Sequence, residues 1–203
     1  NNVLTYSTTS QVVIFTAAHF NLSMLTLGGS YACKSDGSDI RFSSDSSGNN
    51  LLPCDVLRIN LSSTPSASEL VVAVKFPTIT ANTGFTFYCH WANPNASFPS
   101  KSSAEGSGKC WSMFYGVIPC QENPADFTTT VQKWKCFKES TGNYGGATLI
   151  GSSLTQSDGP FPGMKSLNIS ASGGIQTPEV ISCSRGGFQF AMLVYYSTSA
   201  SVD

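Results

Sequence analysis

Seven cysteines, four Asn-X-Ser tripeptides, two histidines and one loose cluster of aspartates are the groups in this 203-residue chain with the chemistry to do something. The cysteines are Cys33, Cys54, Cys89, Cys110, Cys120, Cys136 and Cys183, and none falls in the C-x-x-C spacing of zinc or redox sites, so disulfides are the expected use. Six can pair within the chain. The seventh must be capped, joined to another chain, or buried as a free thiol that packs like a small hydrophobe. Asn21, Asn60, Asn95 and Asn168 each open an Asn-X-Ser sequon, the acceptor for N-linked glycans in a secreted protein. A Ser-rich chain produces sequons by chance, so two or three of the four are expected to carry sugar.

The remaining groups point away from catalysis. His19 and His90 have neither metal-ligand nor triad spacing. Glycoside hydrolysis needs two carboxylates roughly 5 to 10 Å apart, yet Glu69, Glu105, Glu122, Glu139 and Glu179 stand singly, with no E-x-[DE] pair on a strand. No enzyme and no cofactor are expected. Asp36, Asp39 and Asp45, with Asn49 and Asn50, could supply oxygen ligands to calcium, but the spacing is not that of an EF-hand loop. Capping of β-turns explains the same residues without metal, and Arg41 is expected to pair with one of these aspartates. The aromatic residues Trp91, Trp111, Trp134, Phe85, Phe87, Tyr88, Phe114 and Tyr115 suit a core more than a sugar-stacking platform. Trp134, flanked by Lys133 and Lys135, is the candidate exposed ring.

Composition sets the frame in which these groups work. Charged residues are 11% of the chain and hydrophobic residues 40%, against roughly a quarter charged in an ordinary soluble domain. Eleven basic and twelve acidic side chains leave a net charge of -1, which gives no electrostatic basis for binding nucleic acid. The apolar content is too high for a disordered chain, and no stretch approaches the ~18 apolar residues of a membrane span. The N-terminal residues carry no basic segment ahead of an apolar run, so a secreted protein would be represented here by a mature chain or an excised piece.

Periodicity predicts an all-β chain of short strands at 11–16, 39–43, 56–61, 69–76, 83–91, 110–117, 131–137, 147–150, 165–170 and 188–196, broken by Gly, Asn, Pro and Ser clusters. This spacing favours a jelly-roll-like β-sandwich of two packed β-modules: a first module over 1–95, a linker over 96–109, and a second β-rich module over 110–203. The strongest strand signal, 188–196, and the strand-like 3–15 lie at opposite ends of the chain. Such strands either close a sheet internally or complete the sheet of a neighbour.

Three segments carry a family resemblance: Ser35-Asp36-Gly37-Ser38-Asp39-Ile40-Arg41-Phe42, Leu51-Leu52-Pro53-Cys54-Asp55-Val56, and Phe87-Tyr88-Cys89-His90-Trp91-Ala92-Asn93-Pro94. In this order and spacing the chain resembles, over roughly residues 10 to 95, the family called domain of unknown function 2341. Its members show "DGxDIRF", "LPYE"-like and "YYGNP"-like segments in secreted or surface-anchored multidomain proteins. Cys54 and Cys89 stand where that family more often has aromatic residues, and Trp91-Ala92 replaces a Tyr-Gly pair. Against the family pattern, a Cys54–Cys89 disulfide could substitute for the missing aromatic packing. The family is commonly followed by a concanavalin-A-like or laminin-G-like module, to which residues 140–146, 158–161 and 175–196 are similar.

The expected protein is therefore extracellular, secreted or cell-surface: a glycosylated structural subunit of a filament, appendage or surface layer. It would assemble as a homo-oligomer or polymer through terminal strands or a disulfide. A carbohydrate-binding adhesion module is the competing expectation.

Overall fold

The computed structural model describes residues 10–81, 84–112, 116–117, 121, 130–131, 135–136, 147–150, 155–158, 163–168 and 174–176. Its strands, in chain order, are β1 (Gln11–Thr16), β2 (Arg41–Ser43), β3 (Leu51–Leu52), β4 (Cys54–Asn60), β5 (Glu69–Phe76), β6 (Tyr88–His90), β7 (Gly116–Val117), β8 (Thr130–Val131), β9 (Lys135–Cys136), β10 (Ala147–Ile150), β11 (Thr155–Asp158), β12 (Lys165–Asn168) and β13 (Gly174–Gln176). Among the described residues the helical content is one turn, α1 (Ser107–Cys110), and two 3-10 turns, Ala17–His19 and Pro65–Ala67. The sheets run in the orders β1-β5-β4, β3-β2-β6, β13-β10-β8, β11-β12 and β7-β9, and every strand pair in them is antiparallel.

β5 organises the best-defined part. Its sequence, Glu-Leu-Val-Val-Ala-Val-Lys-Phe, is a nearly continuous apolar run, the pattern of a strand covered on both faces. The period of two then divides it. Leu70, Val72, Val74 and Phe76 enter one core with Met24, Leu25, Ile40, Phe42 and Leu52, while Val71 and Ala73 enter a second with Leu57, Cys110 and Trp111. A bulge between Val56 and Arg58 gives β4 an extra residue against β5. Leu57 sits at that bulge and is 2% exposed within the second core.

Phenylalanine fills the first core. Phe15 lies within 6.4 Å, ring to ring, of Phe20, Phe42, Phe76 and Phe87, and Phe76 meets Phe85 edge-on at 5.5 Å. Full burial of Phe42 and of Phe76 contributes about 1.5–3 kcal/mol each, and the partly buried rings around them less. This packing also shortens the strand expected over 83–91: Phe85 and Phe87 pack their rings against the core, and only Tyr88–His90 keeps ladder pairing.

The expected strand over 110–117 is corrected at its start by α1. The Lys109 and Cys110 amides bond back to the Gly106 carbonyl. A Cβ on Gly106 would lie 2.1 Å from the Ser100 carbonyl oxygen, so only glycine allows the chain to cross there and turn. Segment 96–109, expected as a linker, is bonded to the first core's loops. The Ala96 carbonyl accepts from Lys34 Nζ at 2.7 Å, Ser97 accepts from Arg41, and Glu105 accepts from the Cys54 amide at 3.2 Å. The strand signal over 188–196 lies outside the described residues.

Candidate functional site

The three segments that carry the sequence resemblance meet on one sheet. Phe42 of β2 pairs with Leu52 of β3 on one side and with Cys89 of β6 on the other. The loop ahead of β2 is built by its aspartates. Asp36 accepts the Ser38 amide at 2.9 Å, and Gly37 takes the left-handed backbone (φ 73°) that closes the turn. Asp39 is 2% exposed and joins two parts of the chain: one carboxylate oxygen accepts the Lys34 amide at 2.9 Å, the other the Ala92 amide at 2.8 Å. Ala92 itself sits at φ 65°, held there where the chain leaves β6.

Asp45 caps the turn between β2 and β3, accepting the amides of Ser47, Asn49 and Asn50. The Asn50 amide chiefly holds the Asp45 carboxyl below its ordinary pKa, as the Ser38 amide does for Asp36. Backbone amides occupy all three aspartates, in turn caps at Asp36 and Asp45 and in a long-range tie at Asp39, and among the described residues no three His, Cys, Asp or Glu side chains gather as a metal would require. The expected Arg41–aspartate pair is not formed. Arg41 donates instead to the carbonyls of Ser38, Ile40 and Ser97, while the carboxylates of Asp36, Asp39 and Asp45 take backbone amides.

Both histidines lie within the described residues. His19 Nδ1 accepts the Thr16 amide at 3.1 Å and so closes the turn after β1. His90 Nε2 lies 2.7 Å from the Ser43 hydroxyl, the one contact in the sheet that has the form of a nucleophile and its base. The single hydroxyl proton of Ser43, however, is directed to the Asp45 carbonyl. On this network His90 Nε2 carries the proton and donates to Ser43, the reverse of what a general base would do. Ser43 is also fully buried, so the pair ties β2 to β6.

Four of the seven cysteines can be placed as free thiols: Cys33, Cys54, Cys89 and Cys110. Cys33, Cys54 and Cys89 share the phenylalanine core, whereas Cys110 belongs to the second core and gives its proton to the Ala73 carbonyl at 3.5 Å. Burial pushes the thiols of Cys33 and Cys54 up to about 11 and that of Cys89 to about 12, with Cys54 and then Cys33 adding to the shift at Cys89. Cys136 lies in β9, and Cys120 and Cys183 lie outside the described residues.

Three sequon asparagines, Asn21, Asn60 and Asn95, are exposed, and Asn168 lies in β12. Trp134, Phe114 and Tyr115 lie outside the described residues. Trp111 is buried, its Nε1 donating to Asp55 at 2.7 Å. Trp91 is half-buried, and its Nε1 donates to the Tyr31 carbonyl at 2.8 Å, which fixes the indole beside a tyrosine that is 71% exposed. Together with Ser23, Cys89, His90 and Ala92 these two residues line an open depression of about 460 Å³. Tyr31 was not found from the sequence; it follows a Gly-Gly-Ser turn and has no periodic signal of its own.

No known family, curated protein or solved structure matches the chain.

Proposed function

We propose that the chain is a non-enzymatic structural module of an extracellular, glycosylated assembly, a β-sandwich that joins its neighbours through an edge strand. The observation that carries this reading is β1. Among the described residues it pairs on one side only, with β5, so its outer N–H and C=O groups form a template for a strand from another copy. Three exposed sequons support an extracellular surface in which glycans, with Ser and Thr, take the place of ionic groups. A net charge of -1 adds little repulsion between copies. Size exclusion and negative-stain microscopy of the native protein test the reading, with gels run under reducing and non-reducing conditions to detect a disulfide between chains. A homogeneous monomer under every condition refutes it.

A carbohydrate-binding module is the second reading, favoured by the Tyr31–Trp91 depression, whose two rings could stack on a sugar. Glycan-array binding abolished by Trp91→Ala would support it.

A further inference from the structure

The sequon Asn21-Leu22-Ser23 and the aromatic depression share a residue. Ser23 supplies the sequon hydroxyl, and it also lines the depression with Tyr31, Trp91, His90, Ala92 and Cys89. Both the amide and the hydroxyl of Ser23 donate to Asn21 Oδ1 at 2.9 Å. The carbonyl oxygen of the Asn21 side chain is thereby held against Ser23 at the rim of the depression, on a residue that is itself exposed, so Nδ2, the atom that would bear sugar, is open to modification. The same stretch exposes three large apolar or aromatic side chains. Leu22 is 59% exposed, Leu27 52% and Tyr31 71%.

We infer that the chain's own glycan covers the depression: an N-linked oligosaccharide on Asn21 folds back over it, its first N-acetylhexosamine rings stacking on Tyr31 and Trp91. The occupant is fixed by tethering. A sugar joined at the rim is held at high effective concentration over rings it would bind only weakly from solution. Attachment forms a bond from Asn21 Nδ2 to the anomeric carbon of a lipid-linked oligosaccharide. The lipid pyrophosphate leaves and Nδ2 loses one proton. The inference rests on the extracellular, glycosylated reading above.

The test uses the full chain secreted from a eukaryotic cell, with glycopeptide mass spectrometry to read occupancy at each sequon. Trp91 is followed as the difference in acrylamide quenching between the protein and its Trp91→Phe variant. Removing the glycan by Asn21→Gln is expected to raise quenching of Trp91 by roughly two- to tenfold, the population ratio that one aromatic stacking contact sustains. In a Tyr31→Ala background, which removes half of the platform, the increase should shrink. Free chitobiose added to Asn21→Gln separates the sources: protection only when the sugar is tethered supports the inference, and equal protection by millimolar free sugar points to a ligand site instead. An occupied Asn21 with unchanged quenching overturns the stacking while leaving the glycoprotein reading intact. An unoccupied Asn21 beside occupied Asn60 or Asn95 likewise overturns only this inference. No sugar at any of the four sequons overturns both.

Discussion

Removing the Asp39 carboxylate should be among the most damaging single changes outside the apolar core. Asp39 is 2% exposed, and its two oxygens satisfy the Lys34 and Ala92 amides. Asp39→Ala strips both acceptors at once and leaves the loop ahead of β2 unfastened from the chain leaving β6. Hydrogen bonds to a charged group are worth about 1.5–3 kcal/mol each. The two share one carboxylate and do not add fully, so about 3–4 kcal/mol is the expected loss. Urea unfolding in reducing buffer reads this directly; with a slope of ~2 kcal/mol per molar, the midpoint should fall by roughly 1.5–2 M at unchanged slope. Asp39→Asn keeps the shape and one acceptor while turning an NH2 group towards the second amide, and should cost about half as much. Ala92→Gly supplies the opposite control: it relieves a left-handed alanine and should stabilise by at most ~1 kcal/mol. An Asp39→Ala midpoint within ~0.3 M of the parent, at the same slope, would refute the claim that this carboxylate fastens the two segments.

Three further outcomes follow from the same geometry. Gly37→Ala should lose ~1–3 kcal/mol in the same unfolding assay, because its backbone is left-handed and the new methyl would meet Val56 at 3.0 Å; a neutral result would mean that the turn is not fixed as described. Phe42→Ala, which empties the centre of the phenylalanine core, should cost about 3–5 kcal/mol and raise dye binding to exposed apolar surface. In the reduced protein, Cys33, Cys54 and Cys89 ionise at about 11, 11 and 12, whereas unfolded thiols ionise near 8.5. Their contribution is therefore fully present below about pH 8.5 and is lost as pH rises towards 12. Stability of the reduced chain should decline over that window, and a Cys33→Ala/Cys54→Ala/Cys89→Ala triple variant should show a shallower decline.

Periodicity found the strands whose residues alternate or run apolar over several positions. β1, β5 and β10 have the expected bounds of 11–16, 69–76 and 147–150, because the eight Val, Ile and Phe side chains of β1 and β5 pack against the cores only in extended pairing. β3, with two residues, and β11, with the polar sequence Thr-Gln-Ser-Asp, have too little pattern to be read. Such strands are set by their partners, β2 and β12. Of the candidate site, the aspartate turns were legible because Asp and Asn beside Gly have a local purpose. The Tyr31–Trp91 pairing was not, since a bond between an indole and a carbonyl sixty residues away leaves no trace in sequence spacing.

The low charge of the chain and the geometry of its first core have a common cause. Asp36, Asp39 and Asp45 all face backbone amides, Arg41 faces carbonyls, and Lys34 reaches the Ala96 carbonyl. Ionic groups here organise loops, and Arg58, Glu69, Lys165 and Asp158 form side-chain ion pairs. Charges used in this way must be few and well placed, because each long loop between short strands needs an acceptor or donor at one position and a neutral surface elsewhere. Ser and Thr supply that surface without adding charge. Added charge at these turns should therefore act through the loops: a lysine at the buried Ser38, whose hydroxyl bonds the Ala96 carbonyl that Lys34 also holds, would crowd Lys34 and Arg41, which are already committed to carbonyls, and loosen the attachment of segment 93–97.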